Sequence, residues 1–396
     1  MFTPYEIIWL FVFPAVLESW IHIFIEWRRF TKKIFSNKID ESVRLIFIIS
    51  SKNCPELVQK TVDKIYQCCK EAKFSKDKYR ITINCIEKKF SVQGAEIFIV
   101  PKEFKSKSKF KARQLDYIMT QLPYAKNIWY FHLDEDSLVT TQCIKSILDY
   151  ASNKKSKPIA NGAILYERGN NLFTFYAECH RHWNFYWLIS QMRMSRAHWT
   201  NGSCLLVRSD IEHIVGWNYG NYISEDSRFA YESRKKLGKC FGWHGGLVLE
   251  SPPKTFMDLL RQRRRWFFGS ILNLPHVPID QMPRRVYALV CWFLGFVLSV
   301  LFFAKLGGLF PSFTLWITIM LGINAIFWFG RYQIGLYRML YRVKTIPIGK
   351  RILYHVGLVI ATPFLELFCT LPTVYALIKP PKAFDVTGKQ SQERGL

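Results

Sequence analysis

Three consecutive acidic residues interrupt an aromatic and aliphatic run in the segment YFHLDEDSLVT at 130–140. The apolar residues before them are typical of a buried strand, so the acids follow the end of that strand. Asp134 and Asp136 are spaced as Asp-x-Asp, and their hard oxygen atoms suit a divalent cation that also binds a diphosphate. The pair is therefore a candidate site for Mg²⁺ or Mn²⁺, and a solvated acidic turn is the alternative for such a pair taken alone.

A second acidic pair, Glu225 and Asp226, lies in the segment YISEDSRFAYESRKKLG just before an amphipathic helical pattern. Ser224 or Asp226 could simply cap that helix. A carboxylate at this position could also serve as a general base toward an acceptor hydroxyl group. The pair by itself does not decide between these two interpretations.

The segment SPPKTFMDLLRQRRRWFFGS predicts an amphipathic helix over residues 255–272. Thr255 and Asp258 form a capping-box-like start. Gln262, Arg265 and Trp266 are spaced i, i+3 and i+4, so they lie on one face of the helix. This face could present a cation and an aromatic ring to an anionic ligand, and a basic helix that only binds membrane is the alternative.

The elements that must position these residues alternate between strands and helices over residues 40–282. VRLIFIISSKN, YRITINCIE, AEIFIVP and NIWYFHLDED are predicted strands, and CPELVQKTVDKIYQCC is a predicted helix. Such alternation predicts an α/β fold with a parallel sheet. Ligands of such sheets bind at the C-terminal ends of the strands, where Asp134 and Asp136 lie.

The chain of 396 residues has 55 Lys and Arg against 30 Asp and Glu, and 49% of its residues are hydrophobic. A net charge of +25 favours contact with an anionic membrane surface, with phosphates or with nucleic acid. We find no nucleic-acid-binding module, so we do not expect a nucleic-acid partner. The ten Cys lack CxxC spacing, which favours reduced thiols over a zinc site or disulfide framework.

The apolar segment 7–27 has the length of a transmembrane helix and predicts an N-terminal membrane segment over residues 1–30. Basic residues follow it, so the N-terminus is expected outside or in a lumen, with the next domain in the cytosol. Two further spans are expected at 286–303 and 311–329, within a segment 285–330. Residues 353–378 are apolar again and suit either another span or a helix at the membrane interface.

This order of motifs resembles the membrane-bound family 2 glycosyltransferases, which include the cellulose, chitin and hyaluronan synthases, and most of all the egghead-type β-1,4-mannosyltransferases. The resemblance implies a cytosolic GT-A (Rossmann-like) domain with transmembrane and interfacial helices. It implies that Asp134 and Asp136 hold the metal and nucleotide, and that Asp226 is the catalytic base. The sequence has Ser-Glu-Asp where the family motif reads Thr-Glu-Asp.

The same resemblance assigns further residues to the substrates. It implies nucleotide-sugar contacts at positions that match the family's motifs, and these are Ser51, Glu87, Lys111, Arg113, Asp134, Gln262, Arg265 and Lys389. Acceptor contacts are expected at Gly202, Glu225 and Trp266, and Trp266 could stack on a sugar or anchor the helix at the membrane interface. Four aromatic residues, Tyr176, Trp183, Tyr186 and Trp187, could border the acceptor or serve only packing.

The tail KPPKAFDVTGK contains Phe384, Val386, Thr387 and Lys389 and resembles the FxVTxK gating loop of the synthases. This resemblance implies a cytosolic tail over 381–396. It then follows that residues 331–380 form cytosolic or interfacial helices and that 353–378 does not cross the membrane.

The predicted function is inverting transfer of a sugar, with GDP-mannose as the expected donor, to a lipid-linked or glycolipid acceptor through a β-glycosidic bond. A processive polysaccharide synthase that uses a UDP-sugar is an alternative. A non-catalytic basic membrane protein is an alternative of another class. The plasma membrane and the ER or Golgi are equally compatible with the sequence. The sequence also leaves the oligomeric state open.

Overall fold

The computed structural model describes residues 4–31, 39–52, 54–86, 91–195, 197, 199–220, 222–309, 315–340 and 346–381. The helices of these regions are α1 (Pro4–Thr31), α2 (Pro55–Glu71), α3 (Phe110–Met119), α4 (Thr141–Ser152), α5 (Leu172–Cys179), α6 (Arg181–Arg193), α7 (Ser209–Val215), α8 (Glu225–Leu237), α9 (Phe256–Leu272), α10 (Met282–Leu306), α11 (Leu315–Leu340) and α12 (Ile348–Ile378). The strands are β1 (Arg44–Ser50), β2 (Tyr79–Cys85), β3 (Glu96–Ile99), β4 (Ile128–Asp134), β5 (Leu138–Val139), β6 (Ile159–Tyr166), β7 (Leu205–Arg208) and β8 (Phe241–Glu250).

These strands form one sheet in the order β3-β2-β1-β4-β7-β6-β8-β5. The strands β3, β2, β1 and β4 are parallel, as predicted. The prediction of a parallel sheet is wrong for β7, which is antiparallel to both β4 and β6, and for β5, which is antiparallel to β8. The chain leaves β6, passes through α5 and α6, and re-enters the sheet in the opposite direction, so β7 pairs antiparallel with its neighbours.

The centre of the sheet is buried because helices cover it. In β1 every residue after Arg44 is buried, and α2 packs an apolar face with Val58, Val62 and Ile65 into the same core. A strand covered on both faces is apolar along its whole length, which is the pattern of the β1 sequence. Ser50 pairs with Asp134 in the β1–β4 register, so these two strand ends meet at one edge of the sheet.

The predicted amphipathic helix is α9, and its N-terminus is capped as expected. Thr255 Oγ1 accepts a hydrogen bond from the backbone N–H of Asp258 at 3.1 Å and donates one to Asp258 Oδ2 at 2.7 Å. At the other end of the helix, a Cβ atom on Gly269 would overlap the side chain of Ser224. A glycine at 269 therefore allows α9 to pack directly against the start of α8.

Within the described residues, three helical segments are long and apolar enough to cross a bilayer, namely Glu6–Phe30, Ile279–Leu306 and Ile348–Ile378. Each of them exposes large apolar side chains, including Phe24, Val290 and Ile360. Such exposed apolar surface is typical of contact with lipid and indicates a membrane-associated protein.

Helix α11 covers the predicted span 311–329 from Leu315 onward but continues to Leu340. Its last turns bury Tyr332 and Leu336, and a Cβ atom on Gly335 would overlap the carbonyl oxygen of Cys179 in α5. The helix therefore continues beyond the predicted end at 329 and packs against α5 of the α/β domain.

Helix α12 runs beside both α9 and α10. The ring of Phe368 lies 5.0 Å from that of Phe256 in α9, and a Cβ atom on Gly295 of α10 would lie 3.0 Å from Thr370. Its length and composition suit a membrane crossing. Whether α12 crosses the membrane or lies at its interface stays a prediction, because its packing suits either arrangement.

Candidate active site

A cavity of about 810 Å³ lies at the C-terminal edge of β1 and β4 and is bounded by the start of α8 and by α9. Most of the predicted site residues line it together. They are Ser51, Lys111, Asp134, Gly202, Glu225, Asp226, Gln262, Arg265 and Trp266. Residues from positions 51 to 266 of the chain therefore face one space.

Two predicted site residues do not line this cavity. Arg113 donates hydrogen bonds from Nη2 to the carbonyl oxygens of Pro101 at 2.7 Å and Phe104 at 3.1 Å, so its guanidinium holds the segment before α3. Asp136 is 2% exposed and accepts a hydrogen bond from the N–H of Ser251 at 3.3 Å. Both stay predicted substrate or metal contacts. Glu87, Lys389 and the other gating-loop residues lie outside the described residues.

Lys111 joins the sheet edge to the second acidic motif. Its Nζ forms an ion pair with Asp134 Oδ1 and donates a hydrogen bond to the carbonyl oxygen of Gly202 at 3.2 Å. A Cβ atom at Gly202 would lie 3.1 Å from Nζ and 3.8 Å from Asp226 Oδ2, so a glycine permits this close approach. Burial lowers the pKa of Lys111, but Asp134 and Glu225 raise it by more, so the amine stays charged.

The middle residue of the acidic triplet contributes a contact that the sequence analysis did not assign. Glu135 lines the cavity and accepts hydrogen bonds from Ser51 Oγ at 2.8 Å and from the N–H of Lys52 at 3.2 Å. It therefore ties the loop after β1 to the loop after β4. Its position between two candidate metal ligands was the only signal in the sequence.

The carboxyl groups of Glu225 and Asp226 lie in a buried, charged environment at the N-terminus of α8. Burial, followed by the neighbouring Asp226 carboxylate, raises the pKa of Glu225 to about 7. Burial also raises the pKa of Asp226, against the N–H of Ser227 and the charges of Lys111 and Arg265. A carboxylate with a raised pKa is a better proton acceptor, as a general base requires.

Helix α9 presents Gln262, Arg265 and Trp266 to the cavity, as their spacing predicted. Arg181, at the start of α6, lines the same wall, and its guanidinium lies 4.5 Å from the centroid of the Trp266 ring. Burial and the charge of Arg263 lower the pKa of Arg181 to about 9. Sequence reasoning missed Arg181, which carries no recognisable motif within the aromatic segment around it.

The aromatic residues of that segment divide into two groups. Trp183 and Trp187 line the cavity. Tyr176 and Tyr186 pack against α12 and α1, since Tyr176 donates a hydrogen bond to the carbonyl oxygen of Tyr354 at 3.0 Å and Tyr186 stacks on Trp27. Two of the four aromatic residues thus border the cavity and two pack against other helices, and contact with an acceptor stays a prediction.

Comparison with protein families identifies this architecture. The family model described as glycosyl transferase family group 2 matches residues 129–330, which include the acidic motifs and the face of α9. The chain belongs to this family. The family predicted from the motifs is thus confirmed.

Curated relatives of this family 2 chain are β-1,4-mannosyltransferases. The chain is 28% identical over 263 residues to β-1,4-mannosyltransferase bre-3 of Caenorhabditis elegans. The aligned region covers 61% of this chain and 55% of that protein. It is 28% identical over 191 residues to β-1,4-mannosyltransferase egh of Drosophila melanogaster, covering 44% of this chain and 40% of that protein. The chain thus spans about half the length of the curated relatives it matches.

A solved structure shares the fold. The mannosyltransferase PcManGT from Pyrobaculum calidifontis, in complex with GDP-Man and Mn²⁺, matches 95% of this chain and 98% of its own with a TM-score of 0.52 and 12% sequence identity. The predicted GT-A fold is confirmed, and three helices among the described residues are candidates for the predicted membrane segments. The bound GDP-Man and Mn²⁺ belong to that protein.

The cavity of this family 2 chain continues from the acidic motifs into the membrane helices. There the lining on α1, α10 and α12 combines small and apolar residues with charged ones. The small and apolar residues are Val12, Ala15, Val16, Ala288, Cys291, Gly295 and Thr370, and the charged ones are Glu18, Arg284, Arg285 and Glu366. We call this part the membrane limb of the cavity. It connects the face of Trp266 with helices that expose apolar side chains to their surroundings.

The acidic residues provide the type of ligand that a divalent cation prefers. Asp134 and Asp136 offer carboxylate oxygens, which are hard donors. Among the described residues, no group of three or more His, Cys, Asp or Glu side chains is arranged to hold a metal ion. Of the two predicted ligands only Asp134 lines the cavity in this structure, so a cation there would need further oxygen ligands, such as those of a bound phosphate.

Proposed function

We propose that the protein is an inverting glycosyltransferase that transfers a sugar from a nucleotide sugar to a lipid-linked acceptor and forms a β-glycosidic bond. The observation that carries this proposal is the convergence of Asp134, Asp226, Arg265 and Trp266 on one cavity that continues into the membrane limb. The names of the relatives support GDP-mannose as the donor. Membership of the family supports transfer chemistry.

The proposed reaction needs one base and stabilisation of one leaving group. Asp226 takes the proton from the acceptor hydroxyl group as the acceptor oxygen bonds to the anomeric carbon. The bond between that carbon and the diphosphate oxygen breaks, and the nucleoside diphosphate leaves with the electron pair. Arg265 faces the same space, and its fixed positive charge stabilises the charge that develops on the diphosphate.

We further propose that a divalent cation, Mg²⁺ or Mn²⁺, would bind at Asp134 and supply positive charge beside the diphosphate. Asp136 stays the second predicted ligand, although it does not line the cavity in this structure. Lys111 forms an ion pair with Asp134 and lines the same cavity. We therefore also assign its amine to the phosphate oxygens of the donor. We assign Ser51, Gln262 and the predicted tail residue Lys389 to the donor side. Gly202, Glu225 and Trp266 belong to the acceptor side.

The membrane limb supports a lipid as the carrier of the acceptor sugar. A lipid chain could lie along the apolar residues of this limb while its polar headgroup reaches Asp226. We also propose, from the basic residues that follow the first span in the sequence, that the α/β domain is cytosolic and that the N-terminus lies on the other side of the membrane.

A purified enzyme tests the proposal directly. With Mg²⁺ or Mn²⁺ and a lipid extract, it should release nucleoside diphosphate from one of GDP-mannose, UDP-glucose, UDP-GlcNAc or UDP-glucuronate, and GDP-mannose is the expected donor. Asp226→Asn should lower turnover by about 10²- to 10⁴-fold, and Arg265→Ala by about 10²- to 10³-fold. Asp136→Ala and removal of the cation by a chelator should each abolish transfer.

Asp280→Asn is the matched control, because Asp280 is half-exposed and pairs at 3.7 Å with Arg234, away from the cavity. It should keep full activity. Near-normal turnover of all three site variants would overturn the proposal and favour a non-catalytic membrane protein. The mass of the product separates transfer of one sugar from processive synthesis, which would yield a polymer.

A further inference from the structure

A buried carboxylate behind the cavity connects two arginines that belong to different helices. Glu178, near the end of α5, has a fully buried side chain. Its Oε2 lies 3.2 Å from Arg181 Nη1, and its Oε1 lies 2.9 Å from Arg263 Nη2. Each carboxylate oxygen thus binds one guanidinium.

Both of these guanidinium groups also contact the same aromatic ring. The Arg181 and Arg263 guanidinium carbons each lie 4.5 Å from the centroid of Trp266. Cations at this distance are attracted to the face of an indole ring. We call Arg181 and Arg263 the arginine clamp of Trp266.

We propose that Glu178 is a positioning residue that fixes the arginine clamp and thereby sets the orientation of Trp266 toward the acceptor. This inference rests on the proposed function, because it takes the Trp266 ring as the surface on which the acceptor sugar lies. Glu178 does not line the cavity, so its effect on the acceptor passes through the clamp.

The electrostatics explain why the clamp needs a buried acid. Two guanidinium groups held beside one ring repel each other, and the charge of Arg263 already lowers the pKa of Arg181. A single carboxylate shared between them offsets this repulsion and fixes both groups through charge-assisted hydrogen bonds. Without it the two arginines would separate, and Trp266 would lose the contacts that restrict its rotation.

The arrangement predicts a separation between the kinetic constants for the two substrates. Glu178→Gln keeps the size of the side chain but removes its charge. It should raise the KM for the acceptor about tenfold, because a loosely held platform binds the acceptor sugar less well. The KM for the nucleotide sugar should stay within about twofold, because the two arginines that Glu178 holds are not among the residues assigned to the donor.

Glu212 provides a matched control for the loss of a buried acid. Its side chain is fully buried in α7, accepts a hydrogen bond from Trp217 Nε1 at 2.6 Å and contacts His132 Nε2 at 2.9 Å, and it does not line the cavity. Glu212→Gln should leave the ratio of the two KM values unchanged. An equal rise in the acceptor KM of both variants would overturn the inference in favour of a general loss of stability.

A double-mutant cycle tests whether Glu178 acts through Trp266. In the Trp266→Ala background, Glu178→Gln should cause no further rise in the acceptor KM, because the platform is already absent. Full additivity of the two changes would contradict the inference.

Arg181→Met is the second variant if Glu178→Gln does not fold, because it removes one of the two arginines of the clamp and leaves Glu178 paired with Arg263. It should also raise the acceptor KM about tenfold, and an unchanged acceptor KM would count against the clamp.

The outcomes also distinguish this inference from the proposed function. If the wild-type protein neither releases nucleoside diphosphate nor elongates a lipid, the proposed function fails. If the wild-type protein is active and Glu178→Gln leaves the acceptor KM unchanged, only the role of Glu178 fails.

Discussion

At the scale of single residues, the protonation of the Glu225–Asp226 pair controls the proposed reaction. Glu225 is buried and Asp226 is half-buried at the start of α8, and burial is the first cause of the raised pKa values of both carboxyl groups. Lys111 and Arg265 act in the opposite direction and keep ionisation accessible near neutral pH. Two adjacent carboxyl groups titrate as a pair, because the charge of one favours the protonated form of the other.

The activity should therefore decline on the acid side. Asp226 must be ionised to accept a proton, so kcat/KM should fall about tenfold per pH unit once the pH drops below the pKa of the pair. Glu225→Gln should leave this acid limb in place, because the charge of Asp226 raises the pKa of Glu225 and Glu225 is therefore still protonated when Asp226 ionises. A profile measured from pH 5 to 9 checks both statements, and an acid limb that moves in Glu225→Gln would contradict them.

At the scale of elements, α9 carries the arginine and tryptophan of the site, and its start depends on one hydroxyl group. The Thr255 side chain satisfies the N–H of Asp258, which has no partner within the helix. Further along, Gly269 allows the helix to pack against Ser224, immediately before the acidic pair. These two local features set where α9 begins and how close it comes to α8.

Loss of the cap should loosen the first turn of α9. Thr255→Ala is expected to destabilise this turn by about 1 kcal/mol, which corresponds to about fivefold faster amide exchange of the Asp258 N–H. Thr255→Ser keeps the hydroxyl group and serves as the control. Hydrogen exchange of the α9 peptides, followed by mass spectrometry, measures the effect, and equal exchange in both variants would show that the cap does not stabilise this turn.

At the scale of the whole molecule, the cavity joins the α/β domain to the membrane helices. Its polar end is formed by the sheet edge and α8, and its membrane limb by α1, α10 and α12. The two regions are tied together by contacts such as the ion pair between Arg193 of α6 and Glu26 of α1 at 2.7 Å. One continuous space can therefore hold a headgroup at one end and an apolar chain at the other.

Filling the membrane limb should affect the acceptor alone. Ala15 lines this limb, so Ala15→Phe is expected to raise the KM for a lipid acceptor about tenfold and to leave the KM for the nucleotide sugar unchanged. Leu17→Phe is the matched control, because Leu17 is exposed on α1 and does not line the cavity. Kinetics in nanodiscs measure both constants, and an unchanged acceptor KM in Ala15→Phe would place the lipid elsewhere.

Much of the candidate site could be predicted from the sequence because its parts depend on local patterns. Apolar runs that end in small or acidic residues place Ser51 and Asp134 at strand ends. The i, i+3, i+4 spacing places Gln262, Arg265 and Trp266 on one helix face. These signals depend only on the periods of strands and helices, which neighbouring residues in the chain encode.

Other features depend on contacts between distant segments, and only the tertiary structure decided them. The antiparallel insertion of β7, the burial of Asp136 away from the cavity and the contact of Glu178 with both Arg181 and Arg263 have no local signature. They arise because packing brings together residues such as 178 and 263, and a side chain's partners across such a distance depend on the whole fold. The sequence by itself therefore determined the chemical groups and the elements that carry them, while the tertiary structure decided which groups face the cavity and which support it from behind.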